Sequence, residues 1–458
     1  FIIHHSSFII PRMSSLILTH EQADFHGRNL ADQLAVTLAT DRFALIRLVS
    51  DEAAKLNVSS FIVGGFVRDL LLGRPSADFD IVVEGNAIKL ARALAAARGG
   101  RVTAHAQFGT AKWTLPPGSP LEHLDFVSAR TETYAHPSAL PDVEHSSIQL
   151  DMRRRDFTIN TLAIRLDGAA FGDLLDFWGG ERDLREGLIR VLHSISFVDD
   201  PTRILRAARF EQRFHFRIEP RTAELIAHAL HLLGRVSGDR LRHELEAILE
   251  EDEPDRILAR LAELDVLSHI HPDLAAAHKT AAYRLSHIAY RVSPAESDMP
   301  SAISDKPSAL QVRWAAWLSS LAPAALDAVL ARLNFNAKFS DFVRQVGALR
   351  SVIKEINPAM RMSELRARLR SFDPDALQTA IELGNDAAIR DLLNAYATRA
   401  RTLKPATTGD DLKALGLPPG RRYAEILDQL LDAYLDREVE NVEGEKELLK
   451  KIVELTDL

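Results

Sequence analysis

The 458-residue sequence contains no cysteine, which excludes disulfide staples and thiolate metal sites and fits a reducing compartment such as the cytoplasm. It has no apolar run long enough to span a bilayer. Positive charge is not in excess, since 56 Lys and Arg stand against 64 Asp and Glu, a formal net charge of −8. Any nucleic acid must therefore be held by local arginine clusters, not by a basic chain. Neither a Walker-type GK[ST] loop nor a GxGxxG fingerprint is present, so the nucleotide folds built on those loops lose support. No His-Asp dipeptide occurs, and His269-Ile-His271 before Pro272 reads as a helix end. The first twelve residues, FIIHHSSFIIPR, lack the basic start and small-residue cleavage site of a signal peptide and read as an uninformative extension.

What is present is the composition of a globular protein, 46% hydrophobic and 26% charged, with length enough for about three domains. The densest chemistry lies in FIVGGFVRDLLLGRPSADFD, Phe61 to Asp80. Phe61 to Val63 read as a buried strand, and Gly64 and Gly65 let backbone N–H groups approach an anion. Phe66 to Leu72 read as a helix whose N-terminus favours negative charge, and Arg68 adds a cation. If DFDIVV is a strand, its period of two puts Asp78 and Asp80 on one face, as a divalent-metal pair requires. Taken alone, an Asp-x-Asp is better read as a solvated strand edge; the joint pattern shifts the balance toward metal and phosphate.

Up to about residue 190, short β-like runs (FIVGG, DFDIVV, LDFVSA) alternate with helical patterns such as NAIKLARALAAARGG, which argues for a mixed α/β unit. Beyond it nearly everything has helical periodicity, as in RTAELIAHALHLLG, GDRLRHELEAILE, EPDRILARLAELDVLSHI and RRYAEILDQLLDAYLDREVE. VSPAESDMPSAISDKPS, 292–308, reads as a linker, and TLKPATTGDD as a second break.

Asp125, in the strand-like LEHLDFVSART, is a third acidic candidate that faces either solvent or a metal. MRRRDFTINTLAIRL sets arginines before an apolar run read as helical. There Arg154 and Arg155 can neutralise a triphosphate, Asp156 can accept from a ribose hydroxyl, and Asn160 offers donors and an acceptor. In LLDFWGGERDL, Asp176 ends a strand before a glycine turn and is at least as well read as a brace. In VDDPTRILRAARFEQRF, Asp200 and Pro201 suit an N-cap and first helical position. Arg203, Arg206, Arg209 and Arg213 then form a stripe opposite Ile204, Ala207 and Ala208, and with only Glu211 to interrupt it the stripe points to a polyanion. Asp200 and Arg203 can present an acceptor and a donor to the edge of a base.

In this order the segments resemble the class II tRNA nucleotidyltransferase and bacterial poly(A) polymerase family. The shared motifs are GGxVRD with DxD (Gly64 to Asp80), RRDFTxN (Arg154 to Asn160), D-x-x-G-G (Asp176 to Gly180), EDxxR (Asp199 to Arg203) and R-x-x-x-E (Arg240 to Glu244). Position 199 departs from the pattern, with Asp where the family has Glu. The resemblance implies an α+β chain, a small mixed β-sheet head at 30–190 followed by an all-helical neck at 191–275, body at 276–400 and tail at 401–458. It implies two Mg2+ ions on Asp78, Asp80 and Asp125, and a triphosphate facing Arg68, Arg154 and Arg155. Asp156 and Asn160 would take the ribose end, Asp200 and Arg203 would choose between CTP and ATP, and Arg206 and Arg209 would also bind the nucleotide. The implied partners are the tRNA 3′ end, ATP and CTP, with no obligate protein partner evident. The tract ARTETYAHPSALPDVEHSSIQLDMRRRDF looks more like members that add the terminal A, and a full CCA-adding enzyme stays open beside them. The rival readings are a poly(A) polymerase, a silent RNA-binding module and, more remotely, transfer to small molecules or proteins.

Overall fold

A computed structural model describes residues 28–74, 79–133, 142–278, 285 and 308–454. Asp78, the first twelve residues and 292–307 of the expected linker lie outside them. The chain forms two compact units, one from Phe1–Thr131, Glu144–Arg154 and Asn160–Glu181, the other from Glu132–Val143, Arg155–Ile159 and Arg182–Leu458.

The first unit is built on a seven-stranded sheet. Its strands are β1 (Ser59–Val63), β2 (Asp80–Glu84), β3 (Arg101–His105), β4 (Thr110–Thr114) and β5 (His123–Ser128). After β6 (Arg130–Thr133) and β7 (Asp142–His145), which pair separately, come β8 (Leu162–Arg165) and β9 (Leu174–Asp176). The spatial order is β3-β4-β5-β2-β1-β8-β9, antiparallel throughout except for the parallel pair β2 and β5. At the centre, Phe61 to Val63 and Ile81 to Val83 are fully buried, so these strands read as continuous apolar runs because both faces are covered. β4 and β5 lie nearer the edge and alternate, with Ala111, Trp113, Leu124 and Phe126 inward. One cluster joins Phe61, Val63 and Val82 to Ile148, Met152 and Ala163.

The helix Ala87–Arg98 shows why its sequence folds as it does. Asn86 caps it by accepting from the Lys89 N–H at 2.9 Å, and Ala87, Leu90, Ala91 and Leu94 recur at helical spacing on the buried face. It ends at Gly99 and Gly100, both at positive φ, and a Cβ on Gly100 would stand 2.3 Å from the Thr114 carbonyl oxygen.

One sequence expectation is overturned. TLAIRL is not the start of a helix: the helix Ile148–Arg153 ends at the arginines, a 3-10 turn covers Thr158–Asn160, and Leu162–Arg165 is β8, paired with β1 and β9. Short apolar runs carry no period that separates strand from buried helix, and here the open edge of β1 decides.

In the second unit the residues are mainly helical. The helix Arg203–Phe214 lies between the two strands of the small parallel pair β10 (Leu188–Ile189) and β11 (Arg217–Ile218), and the helices Pro220–Ala229, Gly238–Leu249 and Pro254–Glu263 follow it. Asp265 at φ 59° divides the EPDRILARLAELDVLSHI stretch before the helix Val266–Ile270. The expected break before the last helices falls at 403–408, where Glu445, 1% exposed, accepts from the Ala406 and Thr407 N–H groups. Among the described residues no helix is long and apolar enough to cross a membrane. The fold is α+β.

Candidate active site

In the first unit the parallel pairing of β2 with β5 sets Asp80 directly beside Asp125. Adjacent strands lie about 4.8 Å apart and register partners project to the same face, so both carboxylates can share a ligand. Asp80 is exposed, while the Asp125 side chain is 40% exposed with the His123 Nε2 at 3.5 Å from its Oδ2. The same row continues across β4 to Lys112, a register partner of Asp125 on the exposed face, which sequence reading did not single out. Among the described residues no cluster of three His, Asp or Glu suited to a metal is formed, Asp78 being outside them. Two adjacent hard oxygen donors on an accessible face of the sheet fit a divalent cation.

Asp80 also pairs with Val63, the last residue of β1, so the carboxylates flank the glycine turn. Gly64 takes φ 70°, which a side chain would strain, and its N–H donates to the Leu162 carbonyl at 2.9 Å. The helix that follows runs Gly65–Leu71. Arg68 on it is buried and brings two distant motifs together: its Nη1 donates to Asn160 Oδ1 at 2.6 Å, while Nε and Nη2 donate to the two oxygens of Asp69. Arg154 donates to Asp151 Oδ1 at 2.8 Å, a fully buried carboxylate that also accepts from the Arg130 N–H.

Asp176 is a brace. Its Oδ1 accepts from the Trp178 and Gly180 N–H groups and its Oδ2 from that of Glu181, which closes the turn and opens the helix Gly180–Glu186. Asp176→Ala leaves those donors without their acceptor and should cost about 1–2 kcal/mol in a urea unfolding titration, with Asp176→Asn in between.

In the second unit the arginine stripe is not an open cationic face. Arg206 Nη2 lies 2.6 Å from Asp156 Oδ2, and Glu244 is shared by Arg206 at 4.0 Å and Arg209 at 3.9 Å. Arg209 and Arg213 both meet Glu251. Glu211 turns inward to Arg260 and to the Ile218 N–H. These partners come from outside the stripe's own window, so the excess of positive charge read there is largely compensated. Burial raises the Glu244 carboxyl above its ordinary value against the pull of Arg206 and Arg209. The Asp156 charge, foremost, holds the Arg206 guanidinium above its ordinary value.

The helix behind the stripe begins later than expected, at Arg203 after Thr202, because Asp200 makes a tight turn instead of a cap. Asp200 Oδ1 accepts from the Thr202 N–H at 3.0 Å and hydroxyl at 2.7 Å, and Arg240 Nη2 is 2.7 Å from the same oxygen. Arg203, 6% exposed, donates to Ser196 Oγ at 2.7 Å. Asp199 ends the short helix Ser196–Asp199, and burial, against the charges of His193 and Arg203, raises its carboxyl. Arg240 and Glu244 thus meet Asp200 and the stripe, contacts that the R-x-x-x-E spacing alone did not disclose.

A family model described as "Poly A polymerase head domain" matches residues 60–190, and one described as "Probable RNA and SrmB- binding site of polymerase A" matches 215–278. The A-adding tRNA nucleotidyltransferase of Halalkalibacterium halodurans is 34% identical over 414 residues, 89% of this chain and 91% of that protein. The chain belongs to the tRNA nucleotidyltransferase and poly(A) polymerase family. The Geobacter sulfurreducens enzyme of the same description is 37% identical over 90% of this chain, which spans about half of that longer relative (47%). Among solved structures of the family, a CCA-adding enzyme in an apo form superposes with a TM-score of 0.77 at 32% identity, covering 94% of this chain and 99% of that one. The Thermotoga maritima CCA-adding enzyme complexed with tRNA superposes with a TM-score of 0.70 at 31% identity, covering 93% and 99%.

Proposed function

We propose that the chain adds nucleotides to the 3′ end of tRNA without a template, releasing pyrophosphate, and that the terminal A is its product. The observation that carries the reading is the side-by-side register of Asp80 and Asp125 next to the Gly64 turn, in a chain alike over nine-tenths of its length to A-adding relatives. Asp80 and Asp125, with Asp78 as third ligand, would hold Mg2+, two ions in the full reading. Bound there, the metal would supply charge stabilisation at the α-phosphate and lower the pKa of the attacking RNA 3′ hydroxyl. The 3′ oxygen bonds to the α-phosphorus as the bond to the β-phosphate oxygen breaks.

The rest of the reaction falls to the chain's own groups. Arg68, Arg154 and Arg155 would meet the triphosphate, Gly64 and Gly65 leave the backbone open to it, and Asp156 and Asn160 would meet the ribose. Asp200 and Arg203 would read the base. The helical stretches 191–275, 276–400 and 401–458 would serve as neck, body and tail, the last gripping tRNA.

The head-domain match equally accommodates a poly(A) polymerase, so the test separates the two. Three tRNA transcripts, ending before CCA, after the first C and after CC, are offered with Mg2+ and single or mixed nucleotides. One A added only after CC is the expected result. Long A tails on unrelated RNA would favour poly(A) polymerase, and no incorporation on any transcript would leave the silent RNA-binding module.

A further inference from the structure

We propose that the exposed face of β3 and β4, with Lys112 at its inner end, receives the phosphodiester backbone of the RNA 3′ end. The inference rests on the transfer reaction proposed above and adds to it the side from which the RNA arrives.

The face follows from strand register, since residues directly opposite one another project to the same side of a sheet. Arg101 of β3 stands opposite Thr114 of β4, and Thr103 opposite Lys112. On the next pair, Thr114 stands opposite His123 of β5 and Lys112 opposite Asp125. One row therefore runs from Thr103 through Lys112 and Asp125 to Asp80, and the row beside it holds Arg101, Thr114 and His123. The alternate residues Ala111, Trp113, Leu124 and Phe126 are buried on the other side of the sheet, where the helix Ala87–Arg98 packs. With that side covered, the polar side stays open, and Arg101, Thr103, Lys112 and Thr114 are all exposed.

The charges of this face are arranged for an anion. Its carboxylates are Asp125 and Asp80, the pair assigned to the metal, and its fixed cations, Lys112 and Arg101, lie outside that pair on β4 and β3. Among the described residues neither Lys112 nor Arg101 enters an ion pair. The arginine stripe of the second unit differs, because Asp156, Glu244 and Glu251 meet its charges. A chain of net charge −8 that acts on a polyanion needs local cations of this uncompensated kind.

Strand order supplies the direction. In the order β4-β5-β2-β1, Asp125 and Asp80 stand between Lys112 and the Gly64 turn at the end of β1, where the triphosphate would lie. In-line displacement sets the attacking 3′ oxygen and the departing pyrophosphate on opposite sides of the α-phosphorus. The RNA end therefore comes over the carboxylates from β4, and a cation one strand outward from Asp125, about 4.8 Å, stands beside its last phosphodiesters. Lysine suits that place as a compact charge on a flexible stem, which neutralises a phosphate without reading a base. The exposed Thr103 and Thr114 hydroxyls add donors for phosphate oxygens.

The full chain is tested as wild type, Lys112→Gln, Arg101→Gln and Lys89→Gln, the last an exposed lysine on the helix that covers the opposite side of the sheet. The probe is the tRNA transcript ending in CC. Filter binding over a range of KCl concentrations, without nucleotide or Mg2+, gives its dissociation constant, and steady-state incorporation gives the KM for RNA and for ATP. Lys112→Gln should raise the dissociation constant and the RNA KM about threefold to tenfold and leave the ATP KM within about twofold. It should also flatten the slope of log affinity against log salt by about 0.7, the share of one phosphate contact on a single strand. Arg101→Gln should move the same quantities the same way by less, and Lys89→Gln should leave them in place. RNA affinity unchanged in Lys112→Gln overturns the inference, as does a loss confined to the ATP KM, which puts the cation on the triphosphate side. An equal loss of RNA affinity in Lys89→Gln overturns it too, by making the effect one of overall charge. A wild type that incorporates nothing on any transcript strikes the transfer reading instead, and the binding measurements still decide whether the face holds RNA.

Discussion

Asp80→Ala is expected to reduce nucleotide incorporation by at least about a thousandfold, the loss of several kcal/mol of metal-borne transition-state stabilisation at 1.36 kcal/mol per tenfold. The fold should survive the change. Asp80 is the exposed first residue of β2, and the buried residues of that strand, Ile81 to Val83, are untouched. Its neighbour Asp125 would be left as the only carboxylate of the register pair, with His123 and Lys112 nearby. Single-turnover incorporation of labelled ATP measures the loss, and a tRNA gel shift checks that RNA affinity stays within a few fold. Turnover within tenfold of wild type would refute the metal role. Asp80→Asn is the stricter version, because it keeps the shape and removes the charge that a divalent cation needs.

That pair shows how far the sequence could be read. The strand Phe61 to Val63, the turn at Gly64 and the helix after it are local features, fixed by apolar continuity and a positive φ, and they stand about where their residues put them. Asp125 was recognisable as a carboxylate in an apolar run, an expensive placement without a purpose. Its register partner was not, because β2 and β5 come together only through the packing of the helix Ala87–Arg98 and the strands β3 and β4 that lie between them in the chain. The arginine stripe was legible as a stripe, yet its meaning depended on Asp156 and on Glu244 and Glu251, which come from two other segments. A helical window reports its own charges and not those it will face. TLAIRL failed for a related reason: an unpaired β1 edge, not the run's own pattern, makes it a strand.

Base choice should depend on Arg203 and Asp200 to an extent second only to the metal site. Arg203→Ala is expected to lower kcat/KM for the preferred nucleotide by about a hundredfold and to flatten the ATP to CTP ratio, since a site built around paired polar groups loses discrimination when one is removed. The arrangement is preorganised before any nucleotide arrives. Ser196 holds one nitrogen of the Arg203 guanidinium, while Thr202 and Arg240 hold one oxygen of Asp200, so little ordering remains to be done on binding. Arg203→Lys keeps the charge but not the planar fork and should recover rate more than choice. Because Arg203 is buried, its removal also leaves the Ser196 hydroxyl without that donor, and a thermal unfolding midpoint separates lost stability from lost selection. Competition between ATP and CTP on one transcript reads the ratio directly. A variant that slows both nucleotides equally, with its ratio intact, would place Arg203 in the framework of the helix and move base selection to other residues.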